Sequence, residues 1–166
     1  MMEQQAVIHP LPPVFNLSSR VLLLGTMPSP RSRQEGFYYS HPQNRFWRVM
    51  AALFEAPVPI SIQQKKDFVL SKGIALWDVL QQCTISGASD ASIRNPKPND
   101  ISVILQQAPI QAVFTTGSKA LSLYKDLCQA KTGRKAVLLP STSAANCRFT
   151  LDELVEHYRV IISYLR

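Results

Sequence analysis

Four short apolar runs constrain this chain more than any other feature: RVLLLG (20–25), IALW (74–77), AVFTT (112–116) and AVLLP (136–140). A strand with one wet face alternates apolar and polar residues, and these do not. Runs of this kind are buried on both faces, as in parallel sheets covered by helices. Helical spacing fills the intervals. Phe46, Val49, Met50 and Leu53 recur after Asn44; a weaker pattern with Phe68 and Val69 follows Ser61; a further helix opens near Asn99; Leu121, Tyr124, Leu127 and Cys128 share a stripe within 118–130. The last helix is the clearest. Thr150 and Glu153 form a capping box, and Leu151, Leu154, Val155, Tyr158, Ile161, Ile162 and Leu165 hold its apolar face. The alternation predicts an α/β protein, a three-layer α/β/α sandwich around a central four-stranded parallel sheet.

With 166 residues the chain fits one domain. Residues 20–166 are expected to form it, behind an extended N-terminal segment (1–19) that carries Pro10, Pro12 and Pro13. Cys83, Cys128 and Cys147 are too few and too scattered for a disulfide framework, and no C-x-x-C pair suggests a metal site, so neither metal nor cofactor is expected. No apolar stretch reaches the ~18 residues a membrane span requires. The expectation is a cytoplasmic monomer without a membrane.

Lys and Arg number 18 against 11 Asp and Glu, a formal charge of +7 that favours polyanionic partners. Placement sharpens this: Arg20, Arg31, Arg33, Arg45 and Arg48 are opposed in their segment only by Glu35. In open α/β sheets ligands bind beyond the carboxyl ends of the strands. Two long irregular segments leave such ends, 26–43 and 141–149, whereas 82–98, rich in Gly, Ser, Asn and Pro, reads as a surface loop.

In the first segment, Gly25 permits close backbone approach to a ligand, Pro28 and Pro30 stiffen the turn, and Phe37, Tyr38 and Tyr39 either pack or offer flat faces to a base. Basic groups, backbone amides and rings in one loop suit an extruded nucleotide. Asn44 is placed to cap the helix beginning at Arg45. A cap uses only the side-chain oxygen, which leaves the NH₂ free to face a pocket. His41 either orients water or serves as hydrogen-bonded structure. Asp78 either favours a cationic sugar or caps the following turn.

The order G-x-x-P-S (25–29), an aromatic loop, H-P-x-N-R-F-W (41–47), GIALWD (73–78), FTTG (114–117) and LPSTSAAN (139–146) resembles the uracil-DNA glycosylase superfamily over roughly residues 20–165. The resemblance implies its fold and hydrolysis of a base–sugar bond in DNA. Met27 stands where the mismatch-specific uracil enzymes carry a water-holding Asn, and a thioether cannot donate a hydrogen bond. The G-T-M-P-S opening, Tyr38-Tyr39 and the P-S-T-S-x-A-N ending are closer to the hypoxanthine glycosylase branch, which implies Asn44 as the catalytic residue. Gly25, Thr26, Met27, Pro28, Tyr39, His41 and Ser141 are then expected around the base. Arg31, Arg33, Thr142, Ser143, Asn146 and Arg148 are expected on the DNA, and Ala144-Ala145 stands where relatives often carry a bulky wedge.

These readings converge on a monofunctional glycosylase acting on hypoxanthine, or on uracil in mispairs, with DNA containing deaminated bases as its partner. Two alternatives are a non-catalytic module that binds damaged DNA and an enzyme acting on free nucleosides.

Overall fold

The structure is a computed structural model that describes residues 4–166; the first three residues of the expected N-terminal segment lie outside the described residues. Its strands are β1 (Gln5–Ile8), β2 (Val21–Gly25), β3 (Ile74–Asp78), β4 (Leu80–Ile85), β5 (Arg94–Pro98), β6 (Ala112–Thr116) and β7 (Ala136–Leu139). Its helices are α1 (Pro30–Glu35), α2 (Phe46–Leu53), α3 (Ile62–Ser71), α4 (Ser102–Gln107), α5 (Ser118–Leu127), α6 (Gln129–Thr132) and α7 (Leu151–Tyr158). The four apolar runs pair in parallel in the order β3-β2-β6-β7.

The absence of alternation has the expected cause. Along β2, Val21 and Leu23 enter one core while Leu22 and Leu24 enter a second on the opposite face, and all four are fully buried. Strands β3 and β6 divide in the same way: Ile74, Leu76 and Phe114 on one side, Ala75 and Val113 on the other. The first core is closed by α2, α3 and α7 through Val49, Met50, Val69, Leu154 and Tyr158. The second is closed by α4 and α5 through Ile104, Ala120, Leu123 and Tyr124. Edge strand β7 departs from the pattern, because Val137 and Leu138 are exposed.

The segment 82–98 is not a surface loop. It supplies most of β4 and β5, and with β1 these form a second, antiparallel sheet in the order β1-β4-β5. Val7, Leu80, Cys83 and Ile85 fill the second core from this sheet. Residues 5–19 run along the domain, with Val14 bridging Leu76. The segment 26–43 is also less irregular than expected: Ser29 caps α1, Pro30 opens it, and Gly36 closes it in the left-handed conformation (φ 85°). The Thr150–Glu153 capping box forms at α7, which continues as a 3₁₀ turn over Arg159–Tyr164. No helix among the described residues is long and apolar enough to cross a membrane.

Because β2 lies between two cores, Leu23→Ala is expected to lower the unfolding free energy by about 2–5 kcal/mol. The change Leu138→Ala on the exposed edge should cost less than about 0.5 kcal/mol. Urea denaturation of both variants checks the contrast.

Candidate active site

The two segments leaving the sheet meet, and what joins them is the start of α2. Gly25 ends β2 in register with Asp78 at the end of β3, and the chain then turns through Thr26 and Met27 into α1. Its return arm passes Tyr39 and His41 to Asn44. The Arg45 backbone N–H donates to the Thr142 carbonyl (3.0 Å), and its guanidinium donates to the carbonyls of Phe149 (2.6 Å) and Asn146 (2.7 Å). From the far side, the Tyr158 hydroxyl donates to the Pro140 carbonyl (2.6 Å), which fixes where the second segment begins. One arginine and one tyrosine thus hold 140–149 against 39–45.

At that seam Asn44 Oδ1 accepts from the Phe46 backbone N–H (2.9 Å) and from the Thr142 hydroxyl (2.8 Å). A backbone N–H can only donate, so the atom facing it must be the oxygen, and the orientation of the amide is set. The amide Nδ2 takes no hydrogen bond among the described residues, and Asn44 lines a cavity of about 350 Å³. The helix starts one residue later than expected, with Arg45 at its N-cap position, so the Asn44 oxygen closes the turn into the helix from just outside it, and that bond coexists with the free NH₂. The structure places Asn44 half-buried, with its donor available.

Gly25, Thr26, Met27, Pro28, Tyr39, His41 and Ser141, separated by more than a hundred residues of chain, all line this cavity. Phe37 is a core residue instead, stacked on Trp47, whereas Tyr38 is buried with its hydroxyl on the Pro12 carbonyl (2.8 Å) and still contributes to the cavity wall. Tyr39 differs from them. Its backbone is left-handed (φ 54°), its ring stacks on Phe46 at 3.9 Å, and its hydroxyl lies 3.4 Å from Thr116 Oγ1. A non-glycine residue in that conformation costs on the order of 1–3 kcal/mol, a strain typical of functional sites. Burial, and secondarily the Asp78 carboxylate, push its phenol well above the ordinary value, so it keeps its proton at neutral pH. His41 is exposed at the mouth; its Nδ1 accepts from the Gln43 N–H, which builds the turn into Asn44.

Of the residues expected on DNA, Arg31 is exposed and paired with Glu35 (2.6 Å), and Arg148 is exposed over the Phe149 ring. Arg33 reaches back to the Pro28 carbonyl (2.7 Å) and so braces the turn. Ser143 lines the cavity, next to Ala144 and Ala145. Thr142 corrects the expectation. It is 1% exposed, with its hydroxyl committed to Asn44, and it has no surface to offer a phosphate. The Asn146 amide likewise turns inward, to the Ser141 carbonyl (3.0 Å).

Two parts of the site escaped the sequence. The loop after β4 supplies a third wall through Gly87, Ala88 and Asp90. His9, from the N-terminal segment, is enclosed and donates from Nε2 to Asp78 Oδ2 (2.8 Å), while its Nδ1 accepts from the Leu11 N–H (3.2 Å). Asp78 does not cap the next turn. The N–H groups of Val79 and Leu80 bond to the Gly25 and Thr26 carbonyls, and the Asp78 carboxylate lies in the wall of the cavity, almost fully buried. A charge this enclosed requires a partner, and His9 is that partner. No local pattern around His9 announces a contact with a residue 69 positions away. Among the described residues no three His, Cys, Asp or Glu side chains are grouped to hold a metal ion.

A Cβ at Gly25 would overlap Asp78 Oδ1, which is why glycine stands there. Gly25→Ala is therefore expected to cost about 1–3 kcal/mol of stability, and much less in an Asp78→Ala background. A double-mutant cycle by chemical denaturation should return a coupling of about 0.5–3 kcal/mol; strict additivity would mean the two do not touch.

Comparison with known proteins agrees with this geometry. The profile of the Uracil DNA glycosylase superfamily matches residues 12–166. A protein of Methanosarcina barkeri named Hypoxanthine DNA glycosylase is 30% identical over 138 residues, 82% of this chain and 87% of that protein. One of the same name from Methanosarcina acetivorans is 29% identical over 140 residues, 84% and 88% of the two chains. The solution NMR structure of a candidate uracil DNA glycosylase from Methanosarcina acetivorans superposes with a TM-score of 0.76 at 28% identity, covering 91% of this chain and 96% of that one. With the family profile spanning nearly the whole fold and both strand-end segments, this chain belongs to the uracil DNA glycosylase superfamily.

Proposed function

We propose that the protein is a monofunctional DNA glycosylase that releases hypoxanthine, or uracil from mispairs, from an everted nucleotide in DNA. The observation that carries this reading is the Asn44 amide, its oxygen saturated by Phe46 and Thr142 and its NH₂ left to the cavity. When the C1′–N bond breaks, its electron pair moves onto the base and the sugar becomes oxocarbenium-like; water then adds to C1′. An amide N–H already aimed at the base stabilises that charge without reorganising, and one such donor is worth about 10²–10³ in rate.

Other features support the same reading. Among the described residues no lysine lines the cavity to offer an amine for a Schiff base with the sugar. The formal charge of +7 and the exposed Arg31 and Arg148 suit a phosphate backbone. Hypoxanthine comes first among the bases because the two Methanosarcina relatives carry that name.

The test uses single- and double-stranded oligonucleotides, each with one hypoxanthine or uracil, under single-turnover conditions with alkali cleavage of the product. Base release from hypoxanthine substrates is expected. Asn44→Ala should slow it by about 10²–10³ with little change in DNA affinity. Binding without release by the wild-type protein would instead make it a damaged-DNA-binding module. Affinity indifferent to salt would favour free nucleosides, because each neutralised phosphate contributes a log–log slope of about −0.9.

A further inference from the structure

We propose that Asp90, from the loop after β4, is a catalytic residue of the same site, the carboxylate that holds the attacking water and takes its proton. The inference rests on the glycosylase reading above and names the proton acceptor that hydrolysis requires.

Elimination among the side chains of the cavity wall leads to it. The Met27 thioether is a weak acceptor with no basicity at neutral pH. Burial holds the phenols of Tyr38 and Tyr39 protonated. His41 Nδ1 accepts from the Gln43 N–H (3.1 Å), so in the neutral ring the proton sits on Nε2 and no lone pair is left for water. Asp78 is enclosed, its side chain 6% exposed and its Oδ2 occupied by His9. Asp90 is the remaining ionisable side chain among the described residues of the wall, and its carboxylate has no hydrogen bond or ion pair with any of them.

The loop holds this side chain in place. Asp90 opens a single 3₁₀ turn (Asp90–Ser92), in which Ser92 Oγ donates to the Ser89 carbonyl (2.6 Å) and accepts from the Ser86 N–H (2.8 Å). Ile93 then enters the second core, and the Arg94 guanidinium donates to the Ile93 carbonyl (2.9 Å). Depth separates Asp90 from Asp78. The base of an everted nucleotide enters first and its C1′ stops nearer the mouth, where Asp90 is exposed. Desolvation raises the Asp90 pKa, opposed by the charge of Lys119 and reinforced by that of Asp78, so this carboxylate is more basic than an ordinary surface aspartate. An anion beside a phosphate backbone weakens DNA binding, so its presence at this mouth is explained by chemistry rather than by affinity.

The step balances with groups already present. As the C1′–N bond breaks, its electron pair leaves with the base. The water oxygen bonds to C1′ and its proton passes to the Asp90 carboxylate, which returns it to solvent, while the released base takes a proton from solvent.

The experiment follows free hypoxanthine under single-turnover conditions for the wild-type protein, Asp90→Asn and Asp90→Ala, with and without sodium azide. Asparagine keeps the volume but cannot take the proton, so Asp90→Asn should slow release by about 10²–10⁴ while binding DNA at least as tightly as wild type. Azide attacks without losing a proton and fits the space that alanine leaves. It should raise the Asp90→Ala rate by about tenfold or more and leave an azide on C1′ of the product strand, detected by mass spectrometry. Rates for both variants within about tenfold of wild type overturn the proposal. So does a slow Asp90→Ala protein that azide neither accelerates nor labels, because the carboxylate would then be holding its loop rather than the water. Failure of the wild-type protein to release the base removes the glycosylase reading itself, and this assignment with it.

Discussion

The site depends on Arg45. Its guanidinium and backbone N–H reach four carbonyls of the 142–149 segment, and the residue before it holds the amide offered to the cavity. Charge-assisted bonds to carbonyls are the stronger kind, and a segment with little regular structure has few other ways to satisfy its backbone. The arginine therefore anchors the second loop and sets its distance from the first. One of the arginines that make the first segment basic is spent inside the protein.

Several polar and strained groups stand together at one end of the sheet. Tyr39 in a left-handed conformation, Gly25 pressed by a carboxylate, and Asp78 backed by His9 line one cavity at the carboxyl ends of β2 and β3, with His9 behind its wall. Burying a carboxylate costs free energy unless its oxygens are hydrogen-bonded. Retaining such a group at the floor of a pocket makes physical sense where an incoming ligand completes its hydrogen bonding. Thr142 follows the same logic one layer further out: hidden from solvent, it acts through the amide it orients.

The central sheet was legible because burial on both faces leaves a plain mark, and RVLLLG carries it fully. The second sheet was not, for reasons visible in its residues. Strand β5 reads RNPKP, and proline signals a loop in most contexts. Here β5 is an edge strand, where a missing donor costs no ladder bond. The meeting of the two loops and the capping geometry of Asn44 followed from strand order and side-chain chemistry. The inward turn of Thr142 did not, because a short hydroxyl in a polar loop reads the same whether it faces solvent or an amide. His9 was beyond reach, since pairing across 69 residues leaves no periodicity to find.

The claim at the centre of this account is that hydrogen bonds from outside the cavity hold the Asn44 amide ready. Single-turnover base release by Thr142→Val tests it most directly, because valine fills the same buried space and cannot donate to Asn44 Oδ1. The account predicts a fall of about tenfold or more, with DNA affinity and fold unchanged. Full wild-type activity in that variant would contradict it.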